Sequence, residues 1–290
     1  MGEEPPGAQG PDNGEAPGSV CGNQSGDANM LGQQDLSNRQ SEIADLVQSH
    51  GFMSVESLAE RFDVTTQTIR RDVNRLCELG ILRRTHGGVE PPVPGGNVHY
   101  STRRIMNLPQ KRRIARMVAS MIPDGASLAF SIGTTPELVM QELVRHEGLR
   151  IFTNNLYVAV TASENPGFHV TIAGGRLRSG DRDVLGTVTQ DFFASYKVDY
   201  GIFGVGGVDE DGTLLDFTEE EVAARQAILA NCRNSLLVLD QSKFGRIAHV
   251  RGGHLSHVSH VVCDGPIPET LVPLLKTSGT QLVICPPEED

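Results

Sequence analysis

The chain has 290 residues and a mass of 31.3 kDa, with 38% apolar residues, 21% charged residues, no Trp and a formal net charge of −11. That length excludes a peptide or a disulfide-stapled miniprotein and allows two modest cores. The five cysteines (Cys21, Cys77, Cys232, Cys263, Cys285) are odd in number and contain no C-x-x-C, so neither a disulfide framework nor a thiolate metal site organises the fold.

A reducing, cytoplasmic setting is the expectation. The sequence has no basic-then-apolar leader and no run of about 18 apolar residues, so no membrane partner is expected. The charge is unevenly spread. Residues 1–35 carry six acids and no Lys or Arg; residues 36–116 hold 13 Lys/Arg against 8 Asp/Glu; residues 117–290 hold 12 against 22. The acidic total hides a basic module, which is where phosphate contacts belong.

Residues 1–35 are Gly, Pro, Asn, Asp and Glu with almost no large apolar side chains, the composition of a disordered acidic tail. From residue 36 to 90 the pattern changes. Ile43, Leu46 and Val47, then Val55, Leu58, Ala59 and Phe62, recur at helical spacing, predicting two short amphipathic helices with Ser54 capping the second. Asp63-Val64 then makes a tight connection to a third helix, which Thr65 caps and Gly80 stops.

At about 100° per residue, Ile69, Val73, Leu76 and Gly80 share one face of that third helix. Gln67, Arg70, Arg71 and Asn74 gather on the opposite arc. Guanidiniums and amides there are the groups that read base edges in a major groove, although a solvated face has the same make-up. The run Ile81-Leu82-Arg83-Arg84-Thr85-His86-Gly87-Gly88-Val89 reads as a strand, a basic tip, a Gly-Gly turn and a returning apolar residue. Together these elements predict a winged helix.

The motif pair Thr68-Ile69-Arg70-Arg71-Asp72 and Arg84-Thr85-His86-Gly87-Gly88 resembles the DNA-binding module of DeoR-family bacterial transcription regulators. The resemblance implies operator double-stranded DNA as partner, with Thr66, Gln67, Thr68, Arg70, Arg71, Asn74, Arg83, Arg84 and His86 at the DNA surface.

Residues 91–108 begin PPVPGG and read as an irregular linker. A helix is expected from Gln110 to Ile122, with Ile114, Val118 and Met121 on its buried stripe and Lys111, Arg112, Arg113 and Arg116 on a solvated face or an inter-domain contact. Six apolar runs follow at 126–130, 150–154, 168–174, 200–207, 235–240 and 259–263. Continuous apolar strands alternating with helical patterns predict an α/β domain at 109–285 with a mainly parallel sheet; 286–290 is read as a tail.

Ligands bind such sheets beyond the carboxyl ends of the strands. There stand Ser131-Ile132-Gly133-Thr134-Thr135, whose amides and helix N-terminus suit a phosphate, the glycines Gly174, Gly175 and Gly206, and Asp240-Gln241-Ser242-Lys243. This half also resembles the DeoR effector domain, similar in fold to ribose-5-phosphate isomerase, through S-I-G-T-T at 131–135, T-N-N at 153–155, A-G-G-x-L at 173–177, T-E-E-E-V-A-A-R at 218–225 and D-x-S-K-F-G at 240–245.

The resemblance implies a phosphorylated sugar or polyol effector, held by Ser131, Gly133, Thr134, Thr135, Asn154, Gly174, Gly175, Gly206, Asp240 and Lys243. Because a single recognition helix buries limited surface, a symmetric homo-oligomer, dimer or tetramer, reading paired half-sites is expected. The acids and lysine that serve the isomerases are absent: Ile202 to Gly207 carries no acid, and no Lys lies between Lys197 and Lys243. A regulator is therefore expected rather than an isomerase fused to a DNA module, with no catalytic residues and no cofactor. His249, His254, His257 and His260 cluster, but the segment runs into a strand, where residues three apart face opposite ways, so no metal is expected.

Overall fold

The computed structural model describes residues 36–91 and 97–287; the acidic tail read at 1–35 lies outside them. Ser37 opens α1 (Asn38–His50) with a capping box, in which its hydroxyl accepts the Gln40 amide and the Gln40 side chain accepts the Ser37 amide. Two otherwise orphaned donors are thereby satisfied. A two-residue strand, β1 (Met53–Ser54), leads into α2 (Val55–Arg61), where the Ser54 hydroxyl accepts the Ser57 amide. Asp63, at φ 49°, turns the chain into α3 (Thr66–Glu78), capped by Thr65.

Ile43, Val47, Leu58, Ile69, Val73 and Leu76 from the three helices bury one shared core. At about 1.5–3 kcal/mol for each large side chain removed from water, that core is what holds so small a unit. The wing is β2 (Arg83–Thr85) and β3 (Gly88–Glu90), joined through His86-Gly87, with β1 completing a three-stranded sheet in the order β1-β3-β2. The two glycines of the turn serve different ends. Gly87 supplies a φ of +83°, whereas a Cβ on Gly88 would lie 2.2 Å from the Met53 carbonyl oxygen.

Asp72, the acid of the T-I-R-R-D motif, is buried and accepts Arg39 Nε at 2.6 Å and Gln40 Nε2 at 2.9 Å. It fastens α3 to α1.

The segment expected to be an irregular linker contains α4 (Tyr100–Ile105), with Tyr100 and Thr102 buried; of that segment, 92–96 lie outside the described residues. Six residues are too few for a periodic signal or for a helix stable alone. Tertiary contacts hold α4 instead, beginning with the Tyr100 ring stacked on Tyr157 at 5.0 Å. The next helix, α5 (Leu108–Met121), starts two residues before the expected Gln110, and its buried stripe is Ile114, Ala115 and Val118. Lys111 was expected on a solvated face or an inter-domain contact. It is buried, and its ammonium donates to the Arg103 and Met106 carbonyls that α4 leaves unpaired.

The strands β4 (Ser127–Phe130), β5 (Arg150–Thr153), β6 (His169–Ile172), β9 (Val198–Phe203), β12 (Cys232–Leu239), β14 (His260–Cys263) and β15 (Gln281–Ile284) form one seven-stranded parallel sheet. Its order is β15-β14-β12-β9-β4-β5-β6. Successive side chains point to opposite faces. Leu128, Phe130, Ile202, Leu236 and Val238 pack under α5, α6 (Thr134–Leu143) and α7 (Leu156–Ser163), while Ala129, Phe203, Leu237 and Leu239 pack under α8 (Thr187–Ala194), α9 (Glu219–Asn231) and α10 (Val272–Ser278). Two antiparallel pieces flank the sheet: the hairpin β7 (Leu177–Arg178) with β8 (Asp183–Val184), and β10 (Gly207–Val208), β11 (Thr213–Asp216) and β13 (Val250–His254). The six apolar runs all contain strands of the sheet, and β15 is the one strand without a prior reading.

Candidate nucleic-acid interface and anion cleft

On α3 the buried residues are Ile69, Asp72, Val73 and Leu76, which leaves Gln67, Arg70, Arg71 and Asn74 exposed on one arc. Arg83, Arg84 and His86 are exposed on the wing, and Thr66 and Thr68 are half-buried at the first turn of α3. The hydroxyls of Thr65 and Thr68 are hydrogen-bonded at 3.0 Å, so Thr68 belongs to the cap. The Arg84 guanidinium donates to Asn74 Oδ1, tying wing to helix, and Arg83 is paired with Glu90. Arg70 and Arg71 have no carboxylate partner among the described residues. Two cations and two amides thus project from a helix of groove-filling length beside a basic wing.

The second site is a cleft open to solvent at the carboxyl ends of β4, β9 and β12. Ser131, Gly133, Thr134, Thr135, Gly206 and Lys243 from the sequence reading line it. Gly133, at φ +129°, begins α6 without any side-chain cap, so amide donors at that helix start are left for a ligand. Gly206 is needed for close approach, because a Cβ there would stand 2.9 Å from the Leu215 carbonyl oxygen.

Four predicted residues stand outside the lining. Asn154 is fully buried with Nδ2 on the Val184 carbonyl at 2.8 Å, and Gly175 packs against Val184 at φ +138°. Gly174 lies beside Gly175 in the same turn. Asp240 is buried behind Lys243, accepting the Ser242 amide at 3.1 Å and Asn107 Nδ2 at 3.0 Å.

The lining also includes residues not expected as effector contacts: Arg103 from α4, Asp216, Phe217, Arg246, and Glu221 and Arg225 of the T-E-E-E-V-A-A-R run. Arg246 follows Lys243 by three residues, past the end of the D-x-S-K-F-G run, and that proximity was the available signal. It donates to the Gly206 carbonyl at 3.1 Å and lies over the Phe217 ring at 5.1 Å. Neither Lys243 nor Arg246 has a carboxylate partner within salt-bridge distance among the described residues.

Burial and the neighbouring Arg246 push the Lys243 ammonium down to about 7, against the pull of Asp240. Burial lowers Lys111 to about 8. Arg103, Lys243 and Arg246 line the cleft, with the buried Lys111 ammonium close enough to add to their mutual repulsion, an electrostatic cost that an anion would relieve.

The acids of the cleft are already engaged. Asp216 Oδ2 accepts Arg225 Nη2 at 2.6 Å and Nε at 3.2 Å, and its Oδ1 accepts the Gly206 amide at 2.8 Å. Glu221 Oε1 accepts Arg178 at 3.0 Å. Of the four clustered histidines, His254 has both ring nitrogens occupied, by Ser256 Oγ at 2.7 Å and the Asp211 carbonyl at 2.9 Å. Among the described residues no helix is long and apolar enough to cross a membrane.

A helical module with an exposed basic reading face, followed by an α/β domain with a cationic cleft, defines a ligand-responsive transcription regulator. Residues 39–92 match the DeoR-like helix-turn-helix domain and residues 106–265 the DeoR C terminal sensor domain. The chain is 43% identical to the glycerol-3-phosphate regulon repressor of Escherichia coli, over 85% of this chain and 98% of that one. It is 45% identical to the repressor of the same name from Haemophilus influenzae, over 85% and 96%. Against the E. coli HTH-type transcriptional repressor CsqR it is 35% identical over 87% and 96%.

Among solved structures, ribose 5 phosphate isomerase A from Neisseria gonorrhoeae overlaps 48% of this chain and 54% of its own at a TM-score of 0.35 and 10% identity. The chain belongs to the DeoR family of transcriptional regulators.

Proposed function

We propose that this regulator is a cytoplasmic repressor of carbohydrate or polyol metabolism genes, that it reads its operator with α3 and the wing, and that a phosphorylated polyol binding in the cleft releases it. The observation that carries the effector reading is the pair Lys243 and Arg246, two cations with no carboxylate within salt-bridge distance among the described residues, beside the uncapped start of α6. The names of the most similar relatives make sn-glycerol 3-phosphate the first compound to test. The effector is bound without being converted, because Asp216 and Glu221 are held by Arg225 and Arg178 rather than free to take a proton.

One recognition helix buries limited surface, so the working unit is a symmetric homo-oligomer on paired half-sites. A thermal-shift titration of the full chain tests the effector reading. The midpoint rises with sn-glycerol 3-phosphate and not with glycerol, and an unmoved midpoint overturns it. On the DNA side, Arg71→Ala weakens binding to an operator fragment, selected by this chain from a random pool, by about 1–3 kcal/mol with the fold intact. Fluorescence anisotropy at fixed salt measures this, and an unchanged affinity removes Arg71 from the interface.

A further inference from the structure

Helix α4 touches both functional sites. Toward the DNA-reading module, the buried Thr102 hydroxyl donates to the carbonyl of Leu79, the residue that ends α3. Ile105 packs against the three-helix core, and His99 lies 3.4 Å from where a Cβ on Gly80 would stand. Toward the sensor, Tyr100 donates to Glu137 Oε2 at 2.8 Å and Arg104 pairs with the same carboxylate at 2.9 Å, both on α6 just past the cleft loop. Asn107, two residues after α4, donates to Asp240 and to Ser242, each at 3.0 Å.

Arg103 differs from its neighbours. Its side chain lines the cleft, yet its guanidinium is paired with Asp181, in a contact where both side chains are largely buried. Asp181 also meets Arg178 at 3.1 Å, and Arg178 in turn holds Asp183 and Glu221. Should Arg103 turn away, Asp181 keeps a cation. The exchange therefore leaves no buried charge unpaired, which is the usual cost of breaking such a contact.

We propose that Arg103 is the residue through which a bound anion acts on the DNA-reading helix: it exchanges Asp181 for the anion, and the adjoining Thr102–Leu79 hydrogen bond carries the rearrangement of α4 to the end of α3. The proposal rests on the anionic-effector reading of the cleft. A ligand shifts an equilibrium only by its differential affinity for the two states, and a cation that has Asp181 as partner in one state and the effector in the other supplies that difference. Coupling between sites in such systems is typically about 5- to 150-fold.

The test compares operator affinity of the full chain, with and without saturating sn-glycerol 3-phosphate, in the parent, Arg103→Leu, Thr102→Val and Asp181→Asn, with anion binding followed separately by calorimetry. The parent loses operator affinity by a factor within that range. Thr102→Val binds the anion as the parent does but shows a several-fold smaller operator shift. Arg103→Leu binds the anion more weakly through Lys243 and Arg246, and at saturation shows no operator shift. Asp181→Asn frees Arg103, so it binds the anion more tightly and starts from a weaker operator affinity.

Parent-sized shifts in both Arg103→Leu and Thr102→Val overturn the proposal. If Arg103→Leu no longer binds the anion, Asp181→Asn decides: unchanged anion and operator affinities overturn the proposal, and the paired changes sustain it. A parent that binds no anion overturns the cleft reading itself, which keeps the two failures distinct.

Discussion

Arg225→Met should lower the stability of the chain by about 3–5 kcal/mol, the range for removing one partner of a buried ion pair. Arg225 is 1% exposed and is the largest wholly buried side chain described. Each of its three nitrogens donates: Nη2 and Nε to Asp216 Oδ2, and Nη1 to the Gly252 carbonyl at 2.8 Å. Gly252 has no side chain because a Cβ there would stand 2.1 Å from Nη2.

Methionine fills similar volume, so little of the loss comes from a cavity. The cost is the Asp216 carboxylate, 7% exposed and left without a cation, together with an unsatisfied carbonyl. For the sensor domain this corresponds to a fall in melting temperature on the order of 10 °C. The double variant Arg225→Met with Asp216→Asn removes the stranded charge and should regain much of the difference, as followed by thermal unfolding. Equal destabilisation in the single and double variants would show that packing, not charge, sets the loss.

Long-range contacts explain why part of the site escapes a sequence reading. The arc of Gln67, Arg70, Arg71 and Asn74 is a local property of one helix, so a period of 3.6 shows it directly. Lys243 follows a strand end, and the strand-end rule finds it. Arg103 is different, because its place in the cleft depends on an ion pair across 78 residues and lies in a segment whose composition reads as linker. Asn107 reaches Asp240 across 133 residues. No periodicity encodes such contacts.

Asn154 stands outside the cleft for a physical reason. A polar residue at a strand end has the chemistry of a ligand contact, but here the Asn154 Nδ2 donates to the Val184 carbonyl, tying the β7–β8 hairpin to the sheet. Strand β15 has four residues, two of them half-buried and two exposed at the sheet edge, which is too little apolar signal for recognition. Even the T-I-R-R-D motif divides on inspection: its two arginines face out, while Asp72 works inward on α1.

Lys243→Met combined with Arg246→Met should abolish the response to a phosphorylated effector. Each charged donor to a phosphate contributes about 1.5–3 kcal/mol, so losing both weakens binding more than roughly 100-fold. The chain should stay folded: the two cations repel each other and neither has a carboxylate within salt-bridge distance among the described residues, so the main structural loss is the Arg246 hydrogen bond to the Gly206 carbonyl.

The parent and Lys243→Met also differ in pH dependence. With the Lys243 ammonium held down to about 7 by burial and Arg246, and opposed only by Asp240, the effector-free site loses that proton as pH rises past neutrality. The bound anion favours the charged form and raises the bound-state value. Binding therefore takes up a proton, and affinity falls as pH rises above about 7. Below about 6 the phosphate loses its second charge and affinity falls again.

Stability of the effector-free chain runs the other way. The unfolded lysine holds its proton up to about 10.5, so between 7 and 10.5 the unfolded state binds more protons and folding stability gains with pH. Calorimetry across pH 5.5 to 9 should show a maximum in affinity near neutrality for the parent. For Lys243→Met the decline on the alkaline side should be absent. A parent whose affinity is flat from 7 to 9 would remove Lys243 from direct contact with the effector.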